Sequence, residues 1–136
     1  MLTDARGVPI GIAIAGANVH DTKLLAATLA SIPVTRPRPT KRRKQHLCLD
    51  KAYFGKPCHT LARRCRYTPH IRSRGEEQRA CRKGHQARRW VVEGTHSWTN
   101  RARRLLVRWE KKDENYLAFI HLRFAYVALK RSGVLG

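Results

Sequence analysis

The apolar positions of this 136-residue chain fall in short blocks separated by cationic stretches. In GVPIGIAIAGANV, 7–19, Ile and Val alternate with Gly and Ala, which predicts a buried, closely packed strand. HDTKLLAATLASI, 20–32, predicts a helix N-capped by Asp21, with Leu24, Leu25, Thr28 and Leu29 on its inner face. QHLCLDKAYF, 45–54, predicts a short apolar strand ending in Asp50. CHTLARRCRY, 58–67, predicts a helix and TPHIRSR, 68–74, a short strand. Two helices are expected to close the chain, about 87–112 and about 114–131. Between them lie two basic loops. PVTRPRPTKRRK, 33–44, holds three prolines and six cations, and GEEQRACRKGHQ, 75–86, reads as mobile. The element order predicts one α/β domain over 1–136, a sheet layered with helices.

Taken as one helix, 87–112 carries two stripes. Val91, Thr95, Trp98, Ala102, Leu105 and Trp109 form a core-facing seam. Arg89, Glu93, His96, Asn100 and Arg104 share another face, so Glu93 stands among cations and donors. Trp98 and Trp109 are expected in the core; Trp90 is left open between core and base stacking. An isolated glutamate on such a helix most often pairs with a neighbour, here Arg89. Asp50 changes that balance. An acid at the C-terminal end of a buried strand lies at the edge where α/β sheets bind ligands. Two carboxylates on a cationic surface repel unless a divalent cation neutralises them, and such a pair can hold Mg²⁺ at a phosphate.

Composition sharpens the partner. Twenty-nine Lys and Arg face nine Asp and Glu, for a net charge of +20. That excess points to a polyanion, with nucleic acid the first expectation. The cations are spread along the chain rather than set on one amphipathic helix, which disfavours a membrane surface. No apolar run is long enough to span a bilayer, and no signal-peptide pattern opens the chain, so a cytoplasmic protein is expected. Cys48, Cys58, Cys65 and Cys81 form no C-x-x-C pair and read as reduced thiols rather than zinc ligands.

NVHDTKLL, LDKAYFG, PHIRSRG and above all RRWVVEGTHSWTNRARRLLVRWEKKDENYLAFIHL, from Arg88 to Leu122, resemble bacterial insertion-sequence transposases of the IS-five group. That DDE class has an RNase H-like fold, so the resemblance implies a mixed sheet flanked by helices. It implies that Asp50 is the second catalytic aspartate and Glu93 the catalytic glutamate, together holding Mg²⁺ or Mn²⁺. Arg89, one turn before Glu93, and Arg101, about two turns after it, would hold the DNA backbone. Arg104 and the run Lys41, Arg42, Arg43 and Lys44 are further candidate DNA contacts. The implied activity is metal-dependent cleavage and transfer of DNA strands at the ends of an element, by a homo-oligomer working at the bacterial nucleoid.

The pattern departs from the family at several positions. Asp4 matches a turn after the family's second strand, and Asp21 the N-x-H-D after its third. Neither matches the first aspartate of the triad, so the chain is expected to be a C-terminal portion lacking the first strand, and inactive alone. Gly94 replaces a common Arg, and Phe54 and Gly55 follow LDKAY where small or acidic residues are usual. The competing readings are a basic DNA- or RNA-binding remnant that cuts nothing, and a small RNA-binding protein of ribosomal type.

Overall fold

The computed structural model describes residues 1–82, 84 and 89–134, and among these the side chains of all but residues 74, 77, 80, 81, 89 and 90. The described residues form a mixed α/β architecture of four short strands and six helices. The chain divides into two compact units, Met1–Ile14 with Arg88–Gly136, and Ala15–Ala87.

The first unit begins with a hairpin. β1 (Leu2–Thr3) pairs antiparallel with β2 (Pro9–Gly11). The intervening turn is built by Asp4, whose Oδ1 accepts from the Arg6 and Val8 amides, both at 2.8 Å. Gly7 makes the turn possible, since its φ of +81° lies where side chains are strained. The strand expected over 7–19 is thus confined to Pro9–Gly11. Ile12 and Ile14 lie beyond it and pack on helices instead.

The second unit starts with α1 (Asp21–Ala30). Its cap is His20, whose ring nitrogen accepts from the Thr22 amide at 3.3 Å. Asp21 sits one place inside, in the first turn, rather than at the cap. Leu25, Thr28 and Leu29 are buried, and Leu24 only partly. β3 (His46–Leu49) pairs in parallel with β4 (Thr68–Ile71). α2 (Lys56–Arg64) connects them and opens on Gly55 with Pro57 in its first turn. Leu47, Ile71, Cys58 and Ala62 supply this unit's buried sheet and α2 side chains.

α3 (Arg74–Arg82) occupies most of the stretch expected to be a loop over 75–86; residues 83, 85 and 86 lie outside the described ones. The cause is a capping box. The Ser73 amide donates to Glu76 Oε2 at 2.8 Å, and the Glu76 amide to Ser73 Oγ at 3.4 Å. Hydrogen bonding to the Ser73 amide, and then to its hydroxyl, also holds the Glu76 carboxyl below its usual pKa.

In the first unit, α4 (Arg89–Asn100) does not run on to residue 112. It stops, and α5 (Arg103–Leu106) starts afresh after Ala102, whose ψ of 109° is extended. Thr99 donates back to Thr95 O at 2.7 Å, a bond that competes with the helix ladder at this point. Arg123, from α6 (Asp113–Arg131), closes the end by donating to Trp98 O at 2.6 and 3.0 Å. A cation on the last carbonyls of a helix also complements its dipole. Leu105, Ile120 and Phe124 form the local core, with Met1, Ile12, Ile14, Ala102, Tyr116 and Phe119 against it. Each such buried side chain contributes about 1.5–3 kcal/mol.

The hairpin is fastened to α4 by one buried hydroxyl. Thr95 is 0 % exposed, and its Oγ1 donates to Gly7 O at 2.7 Å, shared with Val91 O at 3.0 Å. A Cβ at Gly7 would lie 3.3 Å from Val91 O and 3.4 Å from Thr95 Oγ1, so turn and helix touch backbone to backbone. Thr95→Val keeps the shape but leaves the Gly7 carbonyl short of its donor. It should cost about 1–2 kcal/mol in urea denaturation, and an unchanged midpoint would show the bond to be dispensable. Gly94, by contrast, faces open space: a Cβ there would meet nothing within 4 Å. Gly94→Ala should therefore stabilise the protein by up to about 1 kcal/mol, read as a higher Tm.

Candidate functional site

Asp50 follows β3 directly and caps the single 3-10 turn Lys51–Tyr53. Its Oδ1 accepts from the Lys51 amide at 2.5 Å, while the side chain as a whole is exposed. The turn fixes the carboxylate at the C-terminal end of the parallel pair. Tyr53, at the end of the turn, is half-buried. Its phenol is pushed above its ordinary pKa, first by burial and then by the charges of Asp21, Cys58 and Asp50. Asp21 and Asp50 therefore both act on one tyrosine within the second unit.

The basic loop 33–44 has no regular structure but is anchored. Arg36 donates to Gln45 Oε1 at 2.6 Å and to Cys65 O at 2.9 Å, and its guanidinium lies 3.9 Å above the Tyr67 ring centre. Burial raises the Tyr67 pKa, and Arg36 opposes the rise. Gln45 donates in turn to Pro37 O at 2.8 Å. Lys41, Arg42, Arg43 and Lys44 sit at the exposed tip, where the Thr40 hydroxyl accepts from the Arg43 amide at 3.1 Å. One arginine thus serves structure, and the other five cations of the loop, Arg38 among them, stay in solvent.

Glu93 lies in the first unit on an exposed face of α4, in a depression of about 550 Å³ lined also by His96, Ser97, Asn100, Arg101 and Leu106. Glu93, His96 and Asn100 keep their expected helical spacing. Arg101, although past the last turn of α4, shares the depression with Glu93. Arg104 leaves the expected row, because the break at Ala102 turns it away. It stacks 4.9 Å from the Phe119 ring and lines a separate groove of about 660 Å³ beside α6. The Arg89 side chain lies outside the described residues.

Trp98 is half-buried beneath Arg131, whose guanidinium lies 4.2 Å from the ring. Trp109 departs from the expected seam. It is 75 % exposed, since the seam requires a helix through residue 109 and α4 ends nine residues earlier, at Asn100. The Trp90 side chain falls outside the described residues.

Cys48, Cys58 and Cys65 are free thiols, and Cys81 lies outside the described side chains. Among the described residues no cluster of three or more His, Cys, Asp or Glu could hold a metal ion. Asp50 belongs to the second unit and Glu93 to the first. No helix among the described residues is long and apolar enough to cross a membrane.

No solved structure matches the chain. Its sequence is 32% identical over 125 residues to a protein of Burkholderia cepacia described as "Putative transposase for insertion sequence element IS402". The similarity covers 90% of this chain and 57% of that relative, so the chain spans a little over half of the relative's length. The family model of the transposase DDE domain matches residues 1–128, nearly the whole sequence. On that match the chain belongs to the transposase DDE domain family.

Proposed function

We propose that the chain is the DNA-handling, metal-binding portion of an IS-five-group transposase with an RNase H-like fold, and that it does not cut DNA by itself. The observation that carries the reading is Glu93: an exposed carboxylate, in a chain of net charge +20, sharing its depression with Arg101, Asn100 and His96. A surface that only gripped phosphate would gain nothing from an acid there.

Asp50 and Glu93 are the acids that would hold the cation. Their donor set fits a hard ion, since Mg²⁺ is commonly held by one or two carboxylates with water and substrate phosphate completing its shell. When bound, the ion supplies charge neutralisation at the phosphodiester and a more acidic attacking water or 3′-hydroxyl. The chain's own part is orientation. The turn at Lys51 holds one oxygen of Asp50, α4 sets Glu93 beside Arg101, and Arg101, Arg89 and the exposed run 41–44 would grip the backbone. Arg104 keeps its place among the DNA contacts through its exposed position on α5.

Every strand among the described residues is an edge strand, because each ladder has only two strands. Each such ladder leaves edges at which further strands could pair. Asp4 holds the hairpin turn through its Oδ1. The reading places the chain in the cytoplasm at the nucleoid, self-associating on paired DNA ends. A remnant that binds nucleic acid without metal chemistry is the second reading, favoured by the exposed cations at residues 41–44.

Mn²⁺ binding separates the two. The free-ion electron paramagnetic resonance signal should fall as protein is added, and Asp50→Asn or Glu93→Gln should weaken binding about tenfold or more. Both variants should still bind duplex DNA. Wild-type protein that leaves the Mn²⁺ signal untouched would sink the metal site and leave the remnant.

His96, in the same depression, has its pKa lowered, first by partial burial and then by the positive N-terminal amine. It is therefore neutral at neutral pH and can accept a hydrogen bond beside Glu93. Because the folded pKa lies below the unfolded one, the unfolded chain takes up the proton first as pH falls through about 6.5. Stability should drop on that descent, and His96→Gln should lose less. An NMR titration should place the ring's midpoint below about 6.5; a midpoint above it would contradict the assignment.

A further inference from the structure

The segment joining α5 to α6 is built around an exposed indole. Leu105 is buried, and the next apolar residues turn outward: Leu106 is 62 %, Val107 53 % and Trp109 75 % exposed. The display is held from behind. Arg108 Nε donates to Glu110 O at 3.0 Å, its guanidinium pairs with the Asp113 carboxylate, and it lies 5.2 Å from the Tyr116 ring. Tyr116 in turn donates to Leu105 O at 3.4 Å. Residues on both sides of Trp109 are thus tied to α5 and α6, while the indole faces solvent.

Two features name the occupant. The first is charge. Arg101, Arg103, Arg104, Lys111 and Lys112 flank the strip and are all exposed, and the nearest acid, Glu110, is the one carboxylate between residues 101 and 112. In a chain of net charge +20, this cationic surround draws in a polyanion. The second is shape. An indole offers a flat π-face, and nucleobases present their faces only where they are unpaired, because in a duplex each is covered by its neighbours. Flanking cations with an exposed aromatic are the elements of a single-strand platform. The strip also has a fixed starting point: Leu106 forms part of the wall of the Glu93 depression.

We propose that Trp109 is a stacking platform for an unpaired base of a DNA strand whose backbone runs past Glu93. The assignment rests on DNA being this chain's ligand, the reading under Proposed function, and adds that the bound strand is locally single. Leu106 and Val107 cover the apolar edge of the same nucleotide, and the flanking cations meet its phosphates.

The test compares two labelled DNAs of equal charge at one salt concentration, an oligothymidine of about 15 nucleotides and a duplex hairpin. Trp109→Ala should weaken oligothymidine binding about tenfold, the loss expected for one stacked base, and leave the hairpin unaffected. Trp109→Phe should recover most of the loss. Tryptophan emission should be quenched by oligothymidine in the wild type and far less in Trp109→Ala. Trp109 is exposed, so both variants should melt with the wild type, which guards against a folding artefact. Equal losses on both DNAs, or none on either, would overturn the platform while leaving DNA binding intact. A wild-type protein that binds neither DNA would overturn the platform and the transposase reading together.

Discussion

A single hydroxyl holds the candidate glutamate's helix in place. Thr95 reaches the carbonyl of Gly7 at 2.7 Å, and the approach works only because Gly7 has no side chain and a φ of +81°. Through this bond the two-residue strand β1 and three-residue strand β2, too short to persist alone, gain a helix as backing. α4 gains a fixed rotation, with Val91 and Thr95 inward and Glu93 outward. Glu93 is two residues from Thr95. Any change that rotates the buried hydroxyl therefore rotates the carboxylate with it.

Charge sets the second constraint. With 29 cations and nine acids, arginines cannot all be satisfied by carboxylates. The structure uses carbonyls and aromatic faces instead. Arg123 takes Trp98 O and the Tyr126 ring, Arg36 takes Cys65 O and the Tyr67 ring, Arg104 takes Phe119 and Arg131 takes Trp98. Among the described residues, the one ion pair is Arg108 with Asp113. A guanidinium can do this because it is planar and weakly hydrated, stacking on rings while donating in its own plane. As a consequence, among the described residues neither Asp50 nor Glu93 is spent on an ion pair.

The elements legible in the sequence are those whose pattern agrees with local chemistry. α6 shows apolar residues at helical spacing, with acids in its first turn and cations in its last. Asp50 at the end of an apolar strand is equally plain. The helix Arg74–Arg82 is obscured by its charge and by Gly75, although Ser73 and Glu76 spell a capping box. The end of α4 has no such signal. Neither Gly nor Pro stands at Arg101 or Ala102, and the break depends on Arg123, 25 residues beyond the Trp98 carbonyl that it closes. A period extended across that break assigns every later residue to the wrong face. Trp109 and Arg104 depart from their expected faces for one and the same reason.

That departure shows how the surface proposed to meet DNA is made. Had α4 continued, Trp109 would have joined Val91 and Thr95 in the core and Arg104 would have stood in line with Glu93. Ending the helix at Asn100 keeps Arg101 in the Glu93 depression, sends Arg104 to the face of Phe119 and frees an apolar strip to face solvent. Such exposure of Trp109 forfeits burial that would stabilise the fold by several kcal/mol, on the order of 25 cal/mol for each Å² of a large aromatic surface. The loop that displays the indole is nonetheless stiffened by Arg108, Asp113 and Tyr116. Holding the segment beside Trp109 in advance spares part of the cost of ordering it when a ligand arrives, so contacts that do not bury the indole still favour the proposed stacking.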